Sequence, residues 1–122
     1  MTRGARDEDR ERRIDMEIIV DCYEPEEQAA RWHVYLEEHL HFPFTARCTQ
    51  IQLSSPLEVG DEVEAIGMAP EEECDHDMLV QIRWGHRALA VPLLQLECVA
   101  VDEETREAIA DWRYWNDQGY EL

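Results

Sequence analysis

Residues 78–91 read MLVQIRWGHRALAV, and this pattern indicates two antiparallel β-strands joined by a tight turn. Apolar residues recur at every second position from Met78 to Trp84, which is the period of a strand with one buried face. Gly85 and His86 form the turn, because glycine tolerates the positive φ that two-residue hairpin loops require. The return strand is predicted over residues 87–91 and ends at Pro92, which cannot continue a paired strand.

Three further strand patterns lie on either side of this hairpin. Residues 45–53 form the first, and residues 62–68 form the second, entered through a turn at 58–61. The last lies within residues 93–101, after a turn. We therefore predict that residues 42–101 form a small SH3-like antiparallel β-barrel of about five strands.

Helical patterns precede and follow the predicted barrel. Residues 11–23 place Ile14, Ile18, Ile19 and Cys22 on one face, which favours a helix, although the β-branched run at 18–20 also suits a strand. Pro25 is well placed to begin a second helix. Its apolar stripe consists of Ala29, Trp32, His33, Leu36 and Leu40. Asp102 is predicted to cap a C-terminal helix that ends near Gly119.

The predicted organisation is one α+β domain over residues 1–122, since the chain has no linker and no internal repeat. Residues 1–12 are charged and predicted to be frayed, and residues 13–41 are helical. The barrel occupies 42–101 and the C-terminal helix 102–118. Trp32, Trp84, Trp112 and Trp115 are expected in the core, and Asp111 and Asp117 on the surface of the last helix.

The formal net charge of −18 comes from 29 acidic residues against 11 basic residues, all of them arginine. Such a chain repels phosphate backbones, so binding to nucleic acid is not expected. It attracts cations or a basic protein partner, although adaptation to a salty cytoplasm is an alternative source of the charge. No apolar run could span a membrane, and the charged N-terminus does not resemble a signal peptide. We expect a cytoplasmic protein with no membrane partner.

An acidic loop at residues 71–77, EEECDHD, lies between the second and third strand patterns. Its five carboxylates could provide the oxygen ligands that Ca²⁺ prefers. They belong to Glu71, Glu72, Glu73, Asp75 and Asp77. The chain has no EF-hand loop, so a calcium site here would be of another kind. The alternative is a solvated charged turn without a metal.

Three carboxylates outside the loop are also candidate ligands. Asp61 and Glu62 lie at a strand entry, where a carboxylate can instead serve the turn. Asp102 precedes Glu103 and Glu104 at the last helix, where capping is the alternative role. A transition-metal site from His39 and His41 with Cys48, or from Cys74 and His76, is a weaker alternative. No catalytic motif is recognisable, so no enzyme activity is expected.

Four segments resemble the cyanobacterial CcbP-type calcium-binding protein family. They are EIIVDCYEPEEQAARWHVYLEEHLHFPFTARC (17–48), SPLEVGDEVEAIGMAPEEEC (55–74), ALAVPLLQLE (88–97) and TREAIADWRYW (105–115). The resemblance implies a small acidic protein that binds Ca²⁺ at acidic surface sites and buffers or sequesters intracellular calcium. The rival hypothesis is an SH3-like interaction module that presents its acidic surface to a basic protein.

Overall fold

The computed structural model describes residues 7–53, 55–120 and 122, and the strand patterns form one antiparallel sheet. The strands are β1 (Phe44–Cys48), β2 (Glu62–Met68), β3 (Leu79–Trp84), β4 (Arg87–Pro92) and β5 (Leu96–Val99). The β3–β4 hairpin is confirmed, and Gly85 in its turn has a φ of +64°. β1 ends at Cys48 instead of Leu53, and the next residue, Thr49, donates its N–H to the Gln95 carbonyl at 2.8 Å.

The sheet is curved but not closed into a barrel. Its strand order is β4-β3-β2-β1-β5, so β4 and β5 lie at opposite edges. In a flat sheet these edges would be about 19 Å apart, whereas the four Cα–Cα steps from Pro92 to Leu96 span at most about 15 Å. The sheet must therefore bend. Within the described residues β5 pairs only with β1, so the class and strand number are confirmed and the SH3-like barrel is not.

Three helices accompany the sheet. They are α1 (Glu8–Arg13), which continues into a π-helical turn (Ile14–Ile18), α2 (Pro25–His39) and α3 (Glu103–Asp117). The predicted start of α2 at Pro25 is confirmed. Its predicted apolar stripe is buried, from Ala29 to Leu40. The π-helical turn ends at Ile18, before a bend in which Asp21 has a φ of +57°, so the first helical segment stops short of the predicted residue 23.

The described part of the charged N-terminal segment is helical, not frayed. α1 begins at Glu8, and the Asp7 carboxylate accepts a hydrogen bond of 2.9 Å from the Arg10 N–H at its first turn. Residues 1–6 lie outside the described part of the chain. The helix begins earlier than predicted because Arg10 and Arg13 pair with α3, a contact that the local pattern does not contain.

Asp111 of α3 is fully buried, so the prediction that it is exposed is wrong. Arg10 donates to its carboxylate at 2.5 Å, and Arg13 does so at 2.6 and 2.7 Å. The Tyr35 hydroxyl also donates to it, at 2.5 Å. Burial, together with this hydrogen bond, raises the pKa of Tyr35 to about 12. One carboxylate thus joins α1, α2 and α3.

An aromatic cluster lies between α2 and α3. The Trp32 ring packs edge-on against Trp112 with centroids 5.0 Å apart, and Trp115 lies 5.6 Å from Trp32. All three rings are buried, as predicted, whereas Trp84 at the end of β3 is 40% exposed. The helices and one face of the sheet share this core. Across the described residues, no helix is both long and apolar enough to cross a membrane.

Candidate metal site

Imidazole and carboxylate groups meet where α2 ends beside the first turn of α3. His41 Nδ1 lies 2.8 Å from Asp102 Oδ2, and His41 Nε2 lies 3.1 Å from Glu104 Oε1. His39 Nδ1 lies 2.8 Å from the other Glu104 oxygen. We call His39, His41, Asp102 and Glu104 the His–carboxylate cluster. Its members come from two elements that are distant in the sequence.

A hydrogen-bonded relay through Thr105 holds the two elements together. The His41 backbone N–H donates to Thr105 Oγ1 at 3.0 Å, and the Thr105 hydroxyl donates to Asp102 Oδ1 at 2.6 Å. Asp102 occupies the predicted N-cap position of α3. Its carboxylate accepts a hydrogen bond from the Thr105 hydroxyl and makes no capping bond to a backbone N–H. The bond from Thr105 is the main cause of a lowered pKa at Asp102. The relay keeps this carboxylate ionised and aimed at His41.

Three members of the cluster are close enough to share one metal ion. One ligand atom each from His41, Asp102 and Glu104 lies within 4.8 Å of the other two. In the described part of the chain, no other group of three or more histidine, cysteine or acidic side chains meets this spacing. All three side chains are about half exposed, so an ion can reach them from solvent.

A cleft of about 510 Å³ lies beside the cluster, and two of the predicted ligands line it. Asp102 contributes from α3 and Glu62 from the start of β2, together with His41. The Glu62 carboxylate pairs with Arg47 at 3.0 Å. Asp61 does not line the cleft, since its carboxylate accepts the Glu58 N–H at 2.9 Å within the turn. Asp61 thus has the turn role that the sequence left as the alternative.

The acidic loop does not bring its carboxylates together in this structure. Residues 71–73 form one 3₁₀ turn, and Glu71, Glu72, Glu73 and Asp75 are exposed. Cys74 is buried and anchors the loop, with its thiol 3.8 Å from the carbonyls of Ala69 and Leu79. Asp77 is partly buried, and this burial raises the pKa of its carboxyl group. Among the described residues, no arginine pairs with any of these five carboxylates.

Three members of the cluster, His39, His41 and Glu104, are absent from the predicted set of calcium ligands. The sequence does contain a signal, since His39-x-His41 and the run 102–104 each carry metal-ligating groups. The two segments lie close together only through a tertiary contact, which the spacing of residues along the sequence does not predict. The cysteines considered as partners for histidines are not part of the cluster. Cys48 is buried, and its thiol donates to the Gln50 carbonyl. Cys74 is buried, whereas His76 is exposed.

Comparison with known proteins gives one family and two similar structures. The family model CcbP, described as calcium binding, matches residues 12–116. The crystal structure of Anabaena CcbP is 41% identical, with a TM-score of 0.87 and full coverage of both chains. A calcium-binding protein in its calcium-binding form is 40% identical, with a TM-score of 0.85 over 96% of each chain. No significant match occurs among functionally curated proteins.

Proposed function

This chain belongs to the CcbP family of calcium-binding proteins, and we propose on that premise that it binds Ca²⁺ reversibly through surface carboxylates. It acts as a non-catalytic, non-EF-hand buffer that lowers the free calcium concentration. A relative of 40% identity has been solved in a calcium-binding form, which supports the choice of ion. The net charge of −18, which repels phosphate backbones, supports the absence of a nucleic-acid partner. A cytoplasmic location without a membrane partner is part of the same proposal.

The observation that carries this proposal is the convergence of Asp102 and Glu104 beside the cleft that Glu62 also lines. Ca²⁺ takes six to eight oxygen ligands from carboxylates, carbonyls and water. An open cleft can supply carboxylates from two elements and leave room for coordinated water. The positive end of α3 opposes a cation here with about half a charge, but Asp102, Glu103 and Glu104 outweigh it.

We place a second, weaker contribution at the acidic loop. Its carboxylates belong to residues 71–73, Asp75 and Asp77. They are supported as ligands by their density and because no arginine of the described chain pairs with them. The partly desolvated Asp77 carboxylate would gain most from a nearby cation, because burial disfavours its charged form. Binding would draw the exposed side chains inward and order the loop. Asp61 lies at the opposite end of β2 from this loop, and we assign it the role of fixing the turn at 58–61.

Paired neutralising variants separate the two locations. We expect Asp102→Asn with Glu104→Gln to weaken Ca²⁺ binding at least about tenfold, because two charged ligands are lost. Asp75→Asn with Asp77→Asn is expected to weaken binding less than about threefold, because the loop carboxylates do not converge in this structure and make the weaker contribution. The measurement is calorimetric titration with calcium at physiological salt, with magnesium present to suppress non-specific binding.

The matched control is Glu26→Gln with Glu27→Gln, which removes the same charge from the exposed first turn of α2. Thermal unfolding of each variant verifies that the fold is retained. A larger loss in the loop variant would move the main site to residues 71–77. Equal affinities in all four proteins would contradict carboxylate binding at either place.

A second candidate function, binding of a basic protein segment, is favoured by an apolar groove of about 590 Å³. The groove lies between the end of the π-helical turn and the end of α3. Met16, Tyr23 and Tyr120 expose apolar surface there, and Tyr120 stacks on Trp115 with ring centroids 5.6 Å apart. Acidic groups, including Asp15, line it, and none of its described lining residues is arginine. An apolar anchor flanked by basic residues would match this chemistry.

We expect a fluorescent amphipathic peptide of arginine and leucine to bind this groove, and Tyr23→Ser to weaken the binding about fivefold or more, since Tyr23 is 83% exposed there. Fluorescence anisotropy measures the affinity. Val59→Ser, at an exposed apolar residue elsewhere, is the control and should have no effect. Equal affinities for the two variants would show that the peptide binds through charge alone and would remove the groove from consideration.

A further inference from the structure

We infer that the His–carboxylate cluster also binds a borderline transition metal, with Zn²⁺ as the probe, through His41, Asp102 and Glu104. The reason is the imidazole. Ca²⁺ is a hard cation that takes oxygen ligands, whereas imidazole nitrogen suits zinc, copper, nickel and iron. The inference shares two carboxylates with the proposed calcium site but does not require that Ca²⁺ bind there.

The spacing of the three ligand atoms fits this ion after a small movement. They lie within 4.8 Å of one another, and ligands about 2.0–2.2 Å from a tetrahedral zinc lie roughly 3.3–3.6 Å apart. The short contacts, 2.8 Å to Asp102 and 3.1 Å to Glu104, are made by different ring nitrogens of His41, so an ion bound to one nitrogen must draw the other carboxylate round to the same side of the ring. Exposed side chains can rotate by the remaining amount. Three protein ligands plus one water is a common arrangement around zinc.

Thr105 and the fourth member of the cluster, His39, hold the two carboxylates in position. Thr105 binds one oxygen of Asp102 and leaves the other oxygen facing His41. His39 contacts the Glu104 oxygen that His41 does not. Such outer contacts commonly orient metal ligands and raise affinity. Two carboxylates also balance the charge of a divalent ion, so the bound state is close to neutral at the ligands.

The other histidines lack this setting and provide controls. His76 is strongly exposed, and within the described residues its ion-pair partner is Asp75, at 3.8 Å. His33 is buried, and its Nε2 lies 2.7 Å from the Ala69 carbonyl within the core. Neither belongs to a group of three potential ligands among the described residues. A change at His76 therefore alters the histidine count without touching the cluster.

The test compares wild type, His41→Gln, Glu104→Gln and His76→Gln. Binding of Co²⁺ is followed by its visible absorption, and the affinity for Zn²⁺ is obtained by displacement of the bound Co²⁺. The affinity for Ca²⁺ is measured separately by calorimetry. We expect His41→Gln to weaken Zn²⁺ binding at least about tenfold while changing Ca²⁺ affinity less than about threefold. Glu104→Gln should weaken Zn²⁺ binding as well, and His76→Gln should leave Zn²⁺ binding unchanged.

Zn²⁺ affinity that is unchanged in His41→Gln would overturn the inference. So would thiolate-to-cobalt absorption bands, because they would place the metal at one of the four free cysteines. An equal loss of Zn²⁺ and Ca²⁺ affinity in His41→Gln would also overturn it, since His41 would then act by positioning the carboxylates. Circular dichroism verifies folding, and Glu104→Gln tests the cluster independently. His41-dependent Zn²⁺ binding without any Ca²⁺ binding would support the inference and contradict the proposed function.

Discussion

Replacement of Asp111 by alanine is expected to lower the free energy of unfolding by about 3–5 kcal/mol, the usual cost of removing one partner from a buried ion pair. The variant leaves the guanidinium groups of Arg10 and Arg13 without their shared acceptor and removes the partner of the Tyr35 hydroxyl. These groups lie on α1 and α2, so α1 is expected to detach from α3. Chemical denaturation followed by circular dichroism measures the loss.

Asp117→Ala is the matched control, because it removes a carboxylate that is exposed at the end of the same helix. It should be neutral or slightly stabilising, since a negative charge at a helix C-terminus opposes the dipole. A natural domain has only about 5–15 kcal/mol of stability, so Asp111→Asn provides a milder variant if the alanine protein does not fold. A loss below about 1 kcal/mol for Asp111→Ala would contradict the role assigned to this carboxylate.

Replacement of Trp32 by alanine is expected to cost about 3–5 kcal/mol, the range for truncating a buried aromatic side chain. Trp32 is completely buried, and its ring contacts Tyr35, Trp112 and Trp115. Its removal leaves a cavity between α2 and α3 that the neighbouring rings can fill only in part. The free energy of unfolding from denaturant titration, with an unchanged slope, measures this effect.

Trp84→Ala is the control for Trp32→Ala, because the same side chain is truncated at a position that is 40% exposed. It should cost about half as much or less, since less apolar surface is lost from the core. Similar losses for the two variants would indicate that the aromatic cluster between α2 and α3 does not dominate the core. A loss only at Trp84 would place the stabilising packing in the β3–β4 hairpin.

Local chemistry was sufficient to predict most of the secondary structure. Pro25 begins α2 because its fixed φ suits a first helical residue and its missing N–H is not needed there. β2 runs over Glu62–Met68 as predicted, and Gly85 supplies the positive φ of the hairpin turn. In each case the determining interaction lies within a few residues along the chain. The end of β1 at Cys48 was not predicted from the local pattern.

The candidate site could be predicted only in part. Asp102 and Glu62 were identified as candidate ligands, and they line one cleft. His41 was considered only with His39 and Cys48, and Glu104 only as part of the run 102–104, because a pairing of His39-x-His41 with that run depends on how α2 and α3 dock. The acidic loop, whose assignment as a ligand set stays a prediction, has the densest carboxylates but no convergence in this structure. Density along the chain and proximity in space are separate properties.

By itself, the sequence determined the α+β class, the five strands, the helices α2 and α3, and the membership in a calcium-binding family, because periodicity, turn residues and family motifs are written along the chain. Only the tertiary structure decided that Asp111 is a buried anchor, that the sheet stays open, and that His41 meets Asp102 and Glu104. Those outcomes depend on contacts between distant segments. Such contacts form only when the helices and the sheet pack together, and the local sequence pattern does not predict which charged side chains will then lie next to each other.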